Sequence, residues 1–192
     1  MEYGSEFSIL GADWAFIHFV ENNGMAFGLS FGGKAGKLTL SLFRIGAVIF
    51  LLYYLVRLIK ADYSIGLLAS FSLIFAGAVG NIIDSSVYGV IFSESAYHGG
   101  TAKLFPEEGG YAGFLHGKVV DMLYFPIIDM YWPDWMPLVG GNRFQFFKPV
   151  FNIADATIST GIISLFLFHR SFFKSHNEEL SKKVESEPNM TS

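Results

Sequence analysis

The stretch PVFNIADATISTGIISLFLFH, Pro149–His169, decides how the chain is read. It is apolar and nearly long enough for a bilayer-spanning helix, which needs about 20 residues. Yet Asp155 stands inside its beginning. A carboxylate in hydrocarbon costs roughly 3 kcal/mol or more unless it is paired, protonated or wetted. Composition agrees with a membrane setting. Of 192 residues, 52% are hydrophobic and 16% charged, against about 25% charged in a typical soluble domain. The absence of cysteine excludes disulfides, thiolate metal sites and a cysteine nucleophile. Four of the 17 acidic residues lie in the C-terminal tail, and nothing in the mild net charge of −4 points to nucleic acid. The N-terminal MEYGSEFSILG lacks the basic-then-apolar pattern of a signal peptide.

Two more segments meet the spanning criterion. LTLSLFRIGAVIFLLYYLVRLI, within residues 38–60, lies between Lys37 and Lys60. SIGLLASFSLIFAGAVGNIID, residues 64–84, is rich in Gly, Ala and Ser. Such small residues let membrane helices approach closely, so this helix is expected at the centre of the bundle. The fold class is thus an α-helical integral membrane protein with three spanning helices, the third being residues 149–169. Arg57, Lys60, Arg170 and Lys174 place the helix 1–2 connection and the polar tail, 170–192, in the cytoplasm. Residues 1–37 and the long loop region, 85–148, then lie outside; Lys34 and Lys37 run against that orientation. An outside N-terminal segment with no signal peptide normally needs an earlier helix to carry it across, so a first transmembrane helix is expected to be lacking. WAFIHFVENNGMAFGLSFGG alternates bulky and small residues around Asn22-Asn23-Gly24, a turn signal, and predicts a small extracytoplasmic β-element.

With helix two running outward and helix three starting outside, polar groups converge on the outer interface. Asn81 and Asp84 are spaced i, i+3, as are Asn152 and Asp155, so each pair shares a helix face. At 1.5 Å per residue, Asp155 is expected about 9 Å below Pro149. In HGKVVDMLYFPII, Asp121 is embedded among Val119, Val120, Met122, Leu123 and Phe125. Each has a plainer reading. Asp84 is either an interfacial helix-end residue or part of a site. Asn152 is either a helix cap or part of a site. Asp155 is either functional or a partner for Arg44 at comparable depth in helix one. Asp121 is either buried with a partner or faces a site.

Two carboxylates at a semi-wet site have a defined chemistry. Like charges close together cannot both ionise easily, so the pair holds one proton. The ionised member activates water while the protonated member polarises a carbonyl or protonates a leaving amine. Competing chemistries lack their signatures. His98 and His116 have no neighbouring ligand pair for zinc, and there is no nucleophile elbow, P-loop or dinucleotide fingerprint. A non-enzymatic rival remains: a transporter or channel subunit using Asp155 for ion pairing or cation binding.

Four stretches together resemble the bacterial lipoprotein signal peptidases, or type II signal peptidases. They are ENNGMAFGL, GAVGNIID, GKVVDMLYF and FNIADATIS, which occur in the family's order across residues 21–160. The resemblance implies an aspartic endopeptidase of the bacterial inner membrane with four transmembrane helices, one more than this chain carries. It would remove the signal peptide from diacylglyceryl-modified prolipoproteins, just before the lipidated cysteine. Asp121 and Asp155 would be its catalytic dyad. Asn22, Gly24, Asn81, Asp84 and Asn152 would bind substrate or brace the dyad, and the β-element would cradle the peptide. No metal or organic cofactor is implied. The expected partners are prolipoproteins, membrane lipid and a globomycin-type inhibitor, with the chain monomeric. Two departures stand out. The family's first helix, with an Asp-Gln motif, is missing, and Ser85 follows Asp84 where many members have arginine; that arginine's role is either dispensable here or taken by another cation such as Arg44 or Lys118. The stretches around residues 93–116 and 129–147 look like insertions. Their Gly, Pro and aromatic content fits a lid or a docking surface at the membrane interface, or equally structural padding.

Overall fold

A computed structural model describes residues 4–23, 33–95 and 100–173, with residues 33–35 described by backbone alone. Gly24, His98 and the polar tail beyond Phe173 lie outside the described residues. Among the described residues three long helices stand out: α1 (Gly33–Lys60), α2 (Ile65–Ile91) and α3 (Ile153–Phe168). Two of them are long and apolar enough to cross a membrane, over Gly36–Lys60 and Ile65–Ile91. Within the structure only 11% and 22% of their most apolar windows are buried. A core helix of a soluble protein would hide such a surface, whereas lipid covers it.

The third helix is shorter than the sequence suggests, at 16 residues. Val150–Phe151, taken above as its first turn, form strand β6 instead. The helix begins only after Asn152, whose side chain accepts a hydrogen bond from the Asp155 backbone N–H. Asp155 is therefore not two turns deep but at the third helical position. There a carboxylate reaches back to the Asn152 backbone N–H, completing a capping box, and lies at the positive end of the helix dipole. At the other boundary, α2 runs past Asp84 to Ile91, so the start of the expected 85–148 loop is helical. Ser64 caps the start of α2 by accepting from the Leu67 N–H.

Helix α2 packs against both α1 and α3, the central place its small residues predict. Glycine permits the closest approaches. A methyl group built on Gly77 would stand 2.4 Å from the Ala154 carbonyl oxygen, and one on Gly161 2.6 Å from that of Ser70. Ser70 and Ser164 hydroxyls share a hydrogen bond of 2.8 Å across the same seam. Leu58, Leu67, Phe71 and Leu165 form the apolar core at the end of the bundle near the α1–α2 link. Gly77→Ala should force α3 outward and cost on the order of 1–3 kcal/mol. A fall in thermal midpoint in detergent checks this; an unchanged midpoint would mean that the seam yields freely.

The β-element is larger than the N-terminal segment alone. Strands β1 (Glu6–Ser8), β2 (Phe16–Asn22) and β3 (Val119–Tyr124) join β6 in an antiparallel sheet of order β1-β2-β3-β6. A separate hairpin pairs β4 (Ile128–Tyr131) with β5 (Arg143–Phe146). β2 therefore pairs with the distant strand that bears Asp121 as well as with β1. Because β6 leads directly into α3, the sheet and the helix bundle meet at Asn152.

Candidate active site

Asp121 sits in β3 opposite Val20, while Asn22 sits in β2 opposite Val119. This register makes Asn22 and Asp121 diagonal neighbours on one sheet face. The Asn22 Nδ2 donates to Asp121 Oδ2 at 2.9 Å. On its other side Asp121 Oδ1 accepts from Asn152 Nδ2 at 2.9 Å. The same Nδ2 donates its second proton to Asn81 Oδ1 at 3.0 Å, and Asn81 Nδ2 donates to Asp155 Oδ1 at 2.9 Å. The two acids are thus joined by a relay of two asparagine amides from α2 and the start of α3.

The orientation of that relay is determined rather than arbitrary. Asn152 Oδ1 accepts from the Asp155 backbone N–H at 2.9 Å, and a backbone N–H can only donate. Asn152 must therefore turn its NH₂ towards Asp121 and Asn81. Asn81 then presents its oxygen to Asn152 and its NH₂ to Asp155, a carboxylate that accepts. Among the described residues no buried side-chain nitrogen or oxygen is left without a hydrogen-bond partner, which is what burial demands. Asp121, Asn152 and Asn81 are only 3%, 5% and 8% exposed.

Burial is the main reason that the Asp121 carboxyl is pushed up to about 6. The amide of Asn22 opposes that rise, the negative charge of Asp155 reinforces it, and Asn152 and Asp84 act more weakly in the same two directions. Asp84 is half-buried, and its hydrogen bond goes to Tyr88. It still lies within electrostatic reach of both Asp121 and Asp155. Arg44 on α1 interacts electrostatically with both Asp155 and Asp121, so it faces the pair as a whole. Its neighbour one turn earlier, Ser41, donates to the Leu115 carbonyl at 3.0 Å and ties α1 to the approach to β3.

Sequence reasoning named Asn22, Asn81, Asp121, Asn152 and Asp155, and the structure brings these five together. It missed the clamp behind them. On the sheet face opposite Asp121, Lys118 Nζ pairs with Glu21 Oε2 at 2.6 Å. Tyr111 holds the Lys118 backbone N–H through its hydroxyl at 2.7 Å, and the ammonium lies 5.4 Å from its ring centroid. Burial works to lower the Lys118 ammonium, but the hydrogen bond and charge of Glu21 outweigh it and hold it above its ordinary value. Opposite charges at Glu21 and Lys118, each beside a strand carrying a site residue, were the available signal. Lys118 is engaged by Glu21, and Ser85 by the Asn81 carbonyl at 2.9 Å. Of the two candidate cations, Arg44 is the one within electrostatic reach of both acids. Glu21→Gln should lower stability by about 1–2 kcal/mol by leaving Lys118 only the more distant Glu94 carboxylate, 3.9 Å away. Chemical denaturation of the two proteins gives the difference.

Membrane-type helices, a small sheet and two buried-edge aspartates joined through asparagines define an integral membrane protein with an acid-pair site. A family model described as signal peptidase (SPase) II matches residues 1–172. The chain belongs to that family. Curated relatives carry the name lipoprotein signal peptidase. One from Porphyromonas gingivalis (strain ATCC 33277) is 55% identical over 155 residues, covering 80% of this chain and 66% of its own length. One from Amoebophilus asiaticus is 35% identical over 167 residues, covering 86% and 65%. The chain therefore spans just under two thirds of the length of these relatives. Two solved structures, each described as a bacterial membrane enzyme studied by the in meso method, share the fold. The one at 2.3 Å resolution has TM-score 0.51 and 22% identity over 100% of this chain and 80% of its own. The one at 1.9 Å resolution has TM-score 0.50 and 25% identity over 87% and 76%. The transporter reading of Asp155 finds no support among them.

Proposed function

We propose that the chain is an aspartic endopeptidase that removes signal peptides from diacylglyceryl-modified prolipoproteins, with Asp121 and Asp155 as the catalytic dyad. The observation that carries this is the amide relay, Asp121–Asn152–Asn81–Asp155, in a chain of the signal peptidase II family. Asp121, the more buried acid, holds the shared proton. Asp155 takes a proton from a water molecule, whose oxygen attacks the carbonyl carbon before the lipidated cysteine. Asp121 gives its proton to the carbonyl oxygen. The tetrahedral adduct then collapses, the C–N bond breaks, and the cysteine nitrogen leaves with the proton that Asp155 gained. Asn22, Asn81 and Asn152 keep the carboxyls in place, and Asp84 adds negative charge that favours one retained proton. Gly24 is assigned to peptide binding through its place in the ENNGMAFGL motif.

On this reading α1, α2 and α3 all span the inner membrane, the sheet lies on the outer face, and the protein works as a monomer. A diacylglyceryl cysteine keeps its acyl chains in the leaflet while its peptide bond meets the dyad. A globomycin-type cyclic peptide would compete for the same place. No cofactor takes part.

Cleavage of a diacylglyceryl-modified prolipoprotein in proteoliposomes tests the function. The chain is assayed alone and fused behind a transmembrane helix. Mass spectrometry should find the lipidated cysteine at the new N-terminus, and globomycin should block its release. No cleavage by either form, with the fold intact, contradicts the assignment.

The dyad also sets a pH dependence. The Asp121 carboxyl lies at about 6 in the folded chain against 3.8 for an unperturbed aspartate. The folded state binds the proton more tightly, so stability from this group is present at low pH and lost as pH rises through about 6. The rate should fall over the same limb, because the proton that Asp121 donates is gone; this titration belongs to the pair. A pH–rate profile of kcat/KM read with thermal midpoints checks both. A rate that only climbs from pH 5 to 8 contradicts it.

A further inference from the structure

The hairpin β4–β5 ends in a tip, residues 132–142, whose chemistry the peptidase reading leaves unused. Five of its nine backbone N–H groups are hydrogen-bonded within the tip. The N–H of Trp132 donates to Asn142 O at 2.9 Å, Met136 to Pro133 O at 3.0 Å and Gly140 to Met136 O at 2.9 Å. Gly141 donates to Trp132 O and Asn142 to Val139 O, both at 3.0 Å. Pro133 and Pro137 have no N–H to satisfy. Gly140 folds so tightly that an added methyl would stand 2.6 Å from the Asp134 carbonyl oxygen. The outside of the tip carries Trp135, 80% exposed, and Leu138, 99% exposed. Leu138 moreover adopts φ 73°, a left-handed conformation that favours glycine or asparagine. A large apolar side chain is thus displayed at a backbone position that disfavours it. Asp134 is the single charged residue between Trp132 and Asn142.

We propose that this tip seats in the outer-leaflet interface of the lipid bilayer, with Leu138 at the acyl boundary and Trp135 at headgroup depth. Tryptophan is enriched at that depth, where water still reaches the N–H groups that the tip leaves unbonded. The hairpin base stands where α3 begins. Phe147 and Phe125 lie 6.1 and 5.7 Å, centroid to centroid, from Phe151, the residue before the Asn152 cap. Lipid is the occupant because the hairpin base stands beside Phe151, where α3 begins and, on the proposed reading, enters the bilayer. The β1–β2 turn shares this end of the sheet through Trp14, 6.3 Å from Phe125. It repeats the device, with Leu10 fully exposed at φ 54°. The hairpin is the only covalent path from Asp121 to Asn152 and Asp155. Anchoring it therefore sets the height of both acids over the leaflet. The inference rests on the reading in which α3 enters the bilayer beside the sheet.

The chain has no cysteine, so single nitroxide labels can be placed cleanly. Leu138→Cys, with Leu73→Cys on α2 as a hydrocarbon reference and Glu107→Cys as an aqueous one, is reconstituted in phosphatidylethanolamine–phosphatidylglycerol vesicles. Power-saturation EPR compares collisions with oxygen and with a water-soluble nickel chelate. Expected is a Leu138 label that favours oxygen, at a depth between the two references. A Leu138 label that behaves like Glu107, or is shielded from both reagents as against a protein partner, overturns the proposal while leaving the membrane reading intact. A Leu73 label that favours nickel would instead overturn the membrane reading, and the proposal with it. As a check independent of backbone strain at residue 138, Trp135 is made the sole tryptophan by Trp14→Phe and Trp132→Phe. Its emission should be quenched by lipid brominated near the headgroup; quenching by aqueous iodide alone overturns the proposal.

Discussion

Asparagine at Asp121 or at Asp155 is expected to slow prolipoprotein cleavage by about a thousandfold, the scale of a lost general acid or base. Both changes preserve shape. At Asp121 the amide oxygen can still accept from Asn152 at the 2.9 Å position, but its NH₂ then faces the NH₂ of Asn22. At Asp155 one new donor faces either Asn81 or the Asn152 backbone N–H. Each variant therefore loses on the order of 1 kcal/mol of stability from one mismatched hydrogen bond. That leaves the membrane fold intact and the chemistry absent. Thermal midpoints measured beside the rates separate the two effects. A variant that is folded and still cleaves at a tenth of the normal rate would remove that residue from the dyad.

Asn152→Ala should do more damage than any other change outside the dyad. The side chain caps α3, an interaction worth about 1 kcal/mol. It also supplies donors to Asp121 and Asn81. Removing it leaves the buried acceptors on those residues unmet, at about 1–3 kcal/mol each. Helix start and acid pair should loosen together, with a lower thermal midpoint and a rate reduced by about a hundredfold or more. Asn152→Asp is the telling companion. It restores the cap through its carboxylate but cannot donate to Asp121, so stability should return in part while the rate stays low. Recovery of both by aspartate would reduce Asn152 to a helix cap.

Much of this was legible in the chain itself because lipid makes strong demands. Helices α1 and α2 read directly as apolar runs bounded by Lys60 and Ser64. Gly77 and Gly161 announced the close seam only in composition; their partners, Ala154 and Ser70, needed the packing. The beginning of α3 misled for a physical reason. PVF is as apolar as the helix that follows, so hydropathy continued the helix through it. Its pairing is instead with Leu123 and Tyr124, far away in sequence. The i, i+3 spacing of Asn152 and Asp155 was right, but its meaning was a capping box as much as a shared face. Asp84 shows the opposite limit. Its spacing from Asn81 promised a shared task, yet its hydrogen bond goes along its own helix to Tyr88. The Lys118–Glu21 clamp showed in the sequence only as two opposite charges, because β2 and β3 are joined across nearly a hundred residues and local pattern carries no register of that range.

The most direct test of the central claim is the double substitution Asp121→Asn with Asp155→Asn, assayed beside each single variant for cleavage of a diacylglyceryl-modified prolipoprotein. Residues that act as one proton-sharing unit are grossly non-additive. The double variant should therefore be no slower than either single one, with all three at the same floor. If the two losses multiply instead, or if either single variant keeps most of its activity, Asp121 and Asp155 are not one catalytic pair.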